Sequence, residues 1–211
     1  MHAAPHFRMD DVSEMAALIE ARRFGTLVVV GPDGPQAAHI PMIIIRDAAG
    51  QPVGIEGHVA RNNPIGTLTA EPQRALAIFH GADAYVSPSL YLAKREHGKV
   101  VPTWNYVAIE VRGVVQAFSD AAGMRIMVSR LTDTMEQPTA APWAVSDAPE
   151  DYIQKMLNGI TGLRMTIESI EGSRKLSQNR AEGDRLSVQN AFAHSPDHAA
   201  RELAAEMQKK A

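Results

Sequence analysis

The sequence predicts a β-rich (all-β or α+β) fold, an antiparallel sheet closed into a barrel with helices outside it. Three observations lead there. Apolar runs of strand length follow one another before any long helix pattern. The turns between them are short and built from Gly, Pro and Asp, as in "GPDG". The later strand patterns alternate apolar with polar residues, the mark of a sheet with one face buried.

Each element has its own justification. Asp11 and Glu14 form a cap for a first helix over residues 11–23, and Arg22 and Arg23 suit its negative C-terminal end. "FGTLVVVGPDGPQAAHIPMIII" reads as a hairpin around "GPDG", "RDAAGQ" as a second turn, and "PVGIEGHV" as a third strand. In that strand Val53, Ile55, Gly57 and Val59 share one face, with Glu56 and His58 on the other. Asn63 before Pro64 starts a short helix. "RALAIFHG" is a fourth strand and "DAYVS" a fifth, followed by a loop with one helical turn. A long strand runs from Thr103 to Phe118, with Val107, Ile109, Val111 and Val115 on its apolar face and Trp104, Tyr106, Ala108, Glu110 and Arg112 opposite. Met124, Met127, Val128, Leu131 and Met135 give one helical stripe; Tyr152, Ile153, Met156, Leu157 and Ile160 give another. "TGLRMTIESIEG" is the last strand, and the tail from Ser177 is helical, its final piece opening at Ser195-Pro196. Residues 1–175 form the barrel domain with flanking helices, and 176–211 a helical extension packed on it.

Composition narrows the function. The chain has 211 residues, 45% hydrophobic and 21% charged, with a net charge of −3. That is the profile of a soluble globular domain, with no global attraction to DNA or an anionic membrane. No apolar stretch reaches membrane-helix length, the N-terminus lacks a signal-peptide core, and there is no cysteine, all of which fit the cytoplasm. No GxGxxG, P-loop, GxSxG or HExxH occurs. His39, His58 and His80 fall on strands, without metal-ligand spacing, so no metal is expected.

Three stretches carry chemistry. In "VPTWNY", Trp104 and Tyr106 project from the face opposite the buried valines. They lie under an outer helix, against a second subunit, or beside an aromatic cofactor. In "GHVARNNP", a strand ends, Arg61 sits in the loop and a helix begins, an arrangement that suits a phosphate and equally a plain turn and cap. In "GSRKLSQNR", Arg174, Lys175 and Arg180 could hold phosphates or a polar ring edge, or form a solvated basic loop.

Taken in order, "FGTLVV", "HIPM", "GHVARNNP", "AIFHGADAYVSPSLY", "VPTWNY" and "KLSQNR" resemble the PaiB-like proteins, described as FMN-binding negative transcriptional regulators. The resemblance spans about Phe7 to Arg180. It implies the split barrel of pyridoxamine-phosphate oxidases and flavin reductases, a homodimer, and FMN in clefts between subunits. It places His39, Ile40 and Pro41 near the flavin ring and His58, Ala60, Arg61 and Asn62 near the ribityl phosphate. Lys175 or Arg180 would supply a second cation, and Trp104 and Tyr106 lie on a face that a partner subunit and its flavin could cover. The implied function is a flavin-dependent redox protein, an FMN-dependent oxidoreductase acting on a small-molecule substrate, or a flavin-linked negative regulator. A non-catalytic regulator working through protein or DNA contacts and a haem-binding split barrel are the alternatives. DNA binding follows from the resemblance but finds no support in the charge. No general acid or base stands out; His58 and His80 are available.

Overall fold

A computed structural model of the chain describes residues 3–209. Its helices are α1 (Val12–Arg22), α2 (Pro64–Leu68), α3 (Ala93–Glu96), α4 (Ala121–Glu136), α5 (Glu150–Leu157), α6 (Glu182–Ala193) and α7 (His198–Gln208). Its strands are β1 (Arg8–Met9), β2 (Phe24–Gly31), β3 (Gly34–Arg46), β4 (Pro52–Ala60), β5 (Gln73–Val86), β6 (Thr103–Phe118) and β7 (Ile160–Lys175). The strands form one sheet in the order β1-β7-β4-β3-β2-β5-β6, and a further β7–β6 pairing closes it into a ring. The registered pairs are antiparallel: β2 with β3 and β5, β3 with β4, and β4 and β1 with β7. This is the antiparallel barrel that the short turns and alternating runs predict.

The chain divides into two compact units. Of the described residues, one comprises 3–15, 80–109 and 171–209; the other comprises 16–79 and 110–170. In the second unit, Met124, Met127, Val145, Ile153 and Leu157 form a buried cluster with Phe118 and Ile160 against it. Barrel-facing side chains such as Leu27, Ile40, Met42, Ile55, Leu163 and Met165 leave a void of only about 10 Å³. A small barrel filled in this way has no room for a ligand inside. Gly25 is required by that packing, because a Cβ there would lie 2.8 Å from the Ile78 carbonyl oxygen and the Phe79 ring.

Several elements differ from the sequence reading. The fourth and fifth strands are one strand, β5. Gly81 within it marks a close approach rather than a turn, since a Cβ there would meet Val107 Cβ at 2.8 Å. In β4, Val53 is exposed, while Glu56 is buried beside Ile55. Tyr152 and Met156 of the α5 stripe are exposed. The final helix is capped by Asp197, whose carboxylate accepts from Ala199 N at 3.0 Å. Ser177 begins no helix: its φ is 63°, and α6 starts at Glu182. Among the described residues, no helix is long and apolar enough to cross a membrane.

Candidate functional site

The unit of residues 16–79 and 110–170 carries the strand and loop group. The β2–β3 hairpin sets His39 opposite Thr26, and the Thr26 hydroxyl lies 2.9 Å from His39 Nδ1. Next to the exposed His39, Ile40 is buried and Pro41 half-buried. Pro41 is pressed close to β4, for a Cβ on Gly57 would stand 2.7 Å from the Pro41 carbonyl oxygen. One residue along β4, His58 is half-buried, and its Nδ1 is enclosed with no hydrogen-bond partner. Burial lowers the pKa of this imidazole below its ordinary 6.5, which favours the neutral ring.

β4 then ends at Ala60, and the turn places Ala60, Arg61 and Asn62 in solvent. The Arg61 backbone N–H donates to Gly159 O at 2.8 Å, which pins the turn while the guanidinium stays exposed. Asn63 caps α2: its side chain accepts from Ile65 N at 3.0 Å and its carbonyl from Gly66 N at 3.0 Å. The first amides of this five-residue helix are therefore occupied. The cation left exposed at this turn is the Arg61 guanidinium.

β4 is anchored by Glu56, 2% exposed. Its carboxylate accepts from Arg164 Nε at 2.6 Å and Arg130 Nη1 at 3.0 Å, joining β4 to β7 and α4. Arg164 also lies over the Phe118 ring at 5.0 Å.

The unit of residues 3–15, 80–109 and 171–209 holds the other candidates. Trp104 is 52% exposed and meets Tyr85 edge-on at 6.1 Å. It lines a cleft of about 600 Å³ with Tyr85, Leu90, Phe192 and Pro196. Of the three readings for these rings, full burial under an outer helix does not hold for Trp104; Tyr106 is half-buried. The motifs "VPTWNY" and "KLSQNR" bond to each other. Asn105 Nδ2 donates to Ser177 Oγ at 2.9 Å, and Lys175 Nζ donates to Thr103 Oγ1 at 2.6 Å. Lys175 also lies 5.8 Å from the Phe7 ring, and Arg180 stacks over Tyr91 at 4.7 Å. Arg174 is buried and paired with Glu14 at 2.7 Å, so this segment is not a solvated basic loop.

The structure thus sets His39, Ile40, Pro41, His58, Ala60, Arg61 and Asn62 on neighbouring strands and one turn. Trp104, Tyr106, Lys175 and Arg180 belong to the other unit. His39, His58 and His80 do not combine: among the described residues, no group of three acidic or histidine side chains could hold a metal ion. The sequence reading missed Glu56 and Asn105. Asn105 did leave a signal, since it falls in the same alternating series as buried Val107 and Ile109.

A seven-stranded antiparallel sheet closed into a ring with outer helices is the split-barrel architecture. Residues 1–169 match the family described as "Putative FMN-binding domain", and the chain belongs to it. An uncharacterised protein of Emericella nidulans is 32% identical over 189 residues, covering 74% of each chain. Protease synthase and sporulation protein PAI 2 of Bacillus subtilis is 28% identical over 213 residues, covering 100% of this chain and 98% of that one. Among solved structures, the FAD and haem binding protein of Mycobacterium smegmatis matches with a TM-score of 0.59 at 16% identity, over 85% of this chain and 78% of that one. The flavocytochrome Anf3 of Azotobacter vinelandii matches with a TM-score of 0.55 at 10% identity, over 88% of this chain and 78% of that one. These structures share the fold. The PaiB-type resemblance read from the motifs is thereby shown, and FMN is the family's ligand.

Proposed function

We propose that the protein is a homodimeric FMN-dependent redox protein whose flavin lies outside the filled barrel. His39, Ile40 and Pro41 run along the ring, and His58, Ala60, Arg61 and Asn62 surround the ribityl phosphate. The observation that carries this reading is the enclosed, unpartnered Nδ1 of His58, three residues before an exposed arginine. A buried polar atom left without a partner costs about 1–3 kcal/mol, which a polar ligand at this strand end would offset. An arginine fork matches a phosphate bidentately. The residues present therefore fit FMN.

When bound, FMN supplies one- and two-electron transfer. This chain's residues bind, orient and shield it. His58 offers an uncharged ring nitrogen, Pro41 and Ile40 offer an apolar wall, and Arg61 offers the one exposed cation placed by the turn. Lys175 and Arg180 already have partners and would need to leave them to serve as a second cation. The half-exposed Trp104 and Tyr85 support a subunit interface, because aromatic rings concentrate where association energy is strong.

A regulator acting directly on duplex DNA is the weaker reading. Of the cations in the densest basic segment, Arg174 is buried in an ion pair. Too few remain for the several phosphate contacts of a specific site. The test is to purify the protein with added FMN and record its absorbance and sedimentation. Flavin bands that stay with a species of twice 22.9 kDa support the proposal. A colourless monomer that does not quench flavin fluorescence overturns it.

A further inference from the structure

Away from the strand and turn group, a cavity of about 450 Å³ is lined by Arg174, Asp10, Arg185, Met9, Leu176 and Met207, with other residues of the same unit. Its size falls within the usual range of small-molecule sites, about 300–1,000 Å³. Arg174 is its unusual feature. The residue is 6% exposed, yet its guanidinium is only partly satisfied. Nη1 donates to Glu14 at 2.7 Å. Nη2 lies 3.6 Å from Glu206 Oε2, beyond hydrogen-bond length, and that carboxylate also takes Lys209 at 2.7 Å. Nε is enclosed with no acceptor. On the edge that can bind a carboxylate bidentately, Nε thus has no partner and Nη2 has only a long ion pair with Glu206.

The rest of the wall is mixed: Arg8, Arg185, His6 and Gln178 add basic and polar groups beside an apolar side. Met9, Leu176 and Met207 are buried and apolar. Asp10 is exposed at the rim, whereas the neighbouring Asp11 carboxylate is occupied in capping α1 through Ser13 N at 2.8 Å. We propose that this cavity binds an apolar amino acid. Its carboxylate docks on the Nε–Nη2 edge of Arg174, its ammonium group meets Asp10, and its side chain lies against Met9, Leu176 and Met207. The carboxylate arrives from the cavity side and reaches Nε as lining side chains give way.

The test is calorimetric titration of the full chain with L-leucine, L-phenylalanine, 4-methylpentanoate and 3-methylbutylamine, the last two being leucine without its amino or its carboxylate group. The expected result is binding of the amino acids, loss of binding for the amine, and binding of 4-methylpentanoate about ten- to a hundredfold weaker than leucine. Asp10→Asn lowers leucine affinity to that of 4-methylpentanoate and leaves the latter unchanged. Asp10 is a surface side chain, so this variant folds, whereas Arg174→Lys serves only if its thermal midpoint holds. No heat and no shift in melting temperature with any amino acid at about 10 mM overturns the proposal. Equal affinity for leucine and 4-methylpentanoate overturns the ammonium contact with Asp10. Binding of the amine alone overturns the role of Arg174.

Discussion

Glu56 permits a prediction in which removing either side of one ion-pair network has very different costs. The carboxylate is 2% exposed, while the side chains of its partners Arg130 and Arg164 are 46% and 58% exposed. In the variant Arg130→Ala/Arg164→Ala, a buried carboxylate loses both hydrogen-bonded counter-charges. An uncompensated buried charge costs about 3–5 kcal/mol. In Glu56→Gln, the two arginines return to water, the amide oxygen can still accept one hydrogen bond, and the burial cost of the charge disappears. Solvent screening of half-exposed arginines keeps the lost attraction small, so the net change is about 1 kcal/mol or less. The Arg164 contact over Phe118 adds about 0.5–1 kcal/mol to the arginine side, which Arg130→Ala alone measures around. With a urea m-value of about 2 kcal/mol/M, the midpoint should fall by about 1.8–3 M in the double variant and by less than about 0.5 M in Glu56→Gln. Paired equilibrium unfolding curves decide the matter. A loss in Glu56→Gln equal to that of the double variant would refute the reasoning, because it would mean that the attraction outweighs the burial cost.

Arg61→Ala should weaken FMN binding about ten- to a hundredfold in a fluorescence titration, the worth of one charge-assisted contact to phosphate, with the FMN-free melting temperature unmoved because the side chain is exposed. Unchanged affinity would make the turn purely structural. His58 gives a pH dependence of definite sign: burial holds its folded-state pKa below 6.5, so between that lowered value and 6.5 the unfolded chain binds more protons. Its contribution to stability is whole above 6.5 and is lost as pH falls through the window. His58→Gln, which takes up no proton, should flatten that part of the decline in melting temperature between about pH 7.5 and 5, and an identical slope would count against a neutral His58.

Local pattern made much of the fold legible. The alternation from Thr103 to Phe118 delivered β6 at its full length, and Asn63-Pro64 delivered the start and cap of α2. Both signals are contained within a few residues. What stayed hidden depends on partners far along the chain. Glu56 looks like a surface residue until Arg130 and Arg164, 74 and 108 positions away, come to it. The "HGAD" stretch within β5 has turn composition, and only the proximity of Val107 explains Gly81. The candidate flavin site was legible as motifs, because "HIPM" and "GHVARNNP" are contiguous. The state of His58 Nδ1 was not, since enclosure is a property of packing.

The pairing of "VPTWNY" with "KLSQNR" separates two roles that sequence alone would merge. Asn105 is fully buried, Ser177 is 3% exposed, and their side chains exchange hydrogen bonds of 2.9 and 3.2 Å. Ser177 holds a positive φ of 63°, which a non-glycine residue adopts only when its surroundings compel it. These two residues therefore act as a lock between segments 72 positions apart, and their identity needs no ligand. Trp104, next to Asn105 but pointing to the other face, is half-exposed and contributes little to such a lock. Asn105→Leu leaves the Ser177 hydroxyl buried without its partner and should cost about 1–3 kcal/mol in urea unfolding. Trp104→Ala should cost less than about 1 kcal/mol at protein concentrations where the chain is monomeric, yet shift the sedimentation profile toward monomer. Equal destabilisation by the two variants, with no change in association, would place Trp104 in the lock and remove it from the proposed interface.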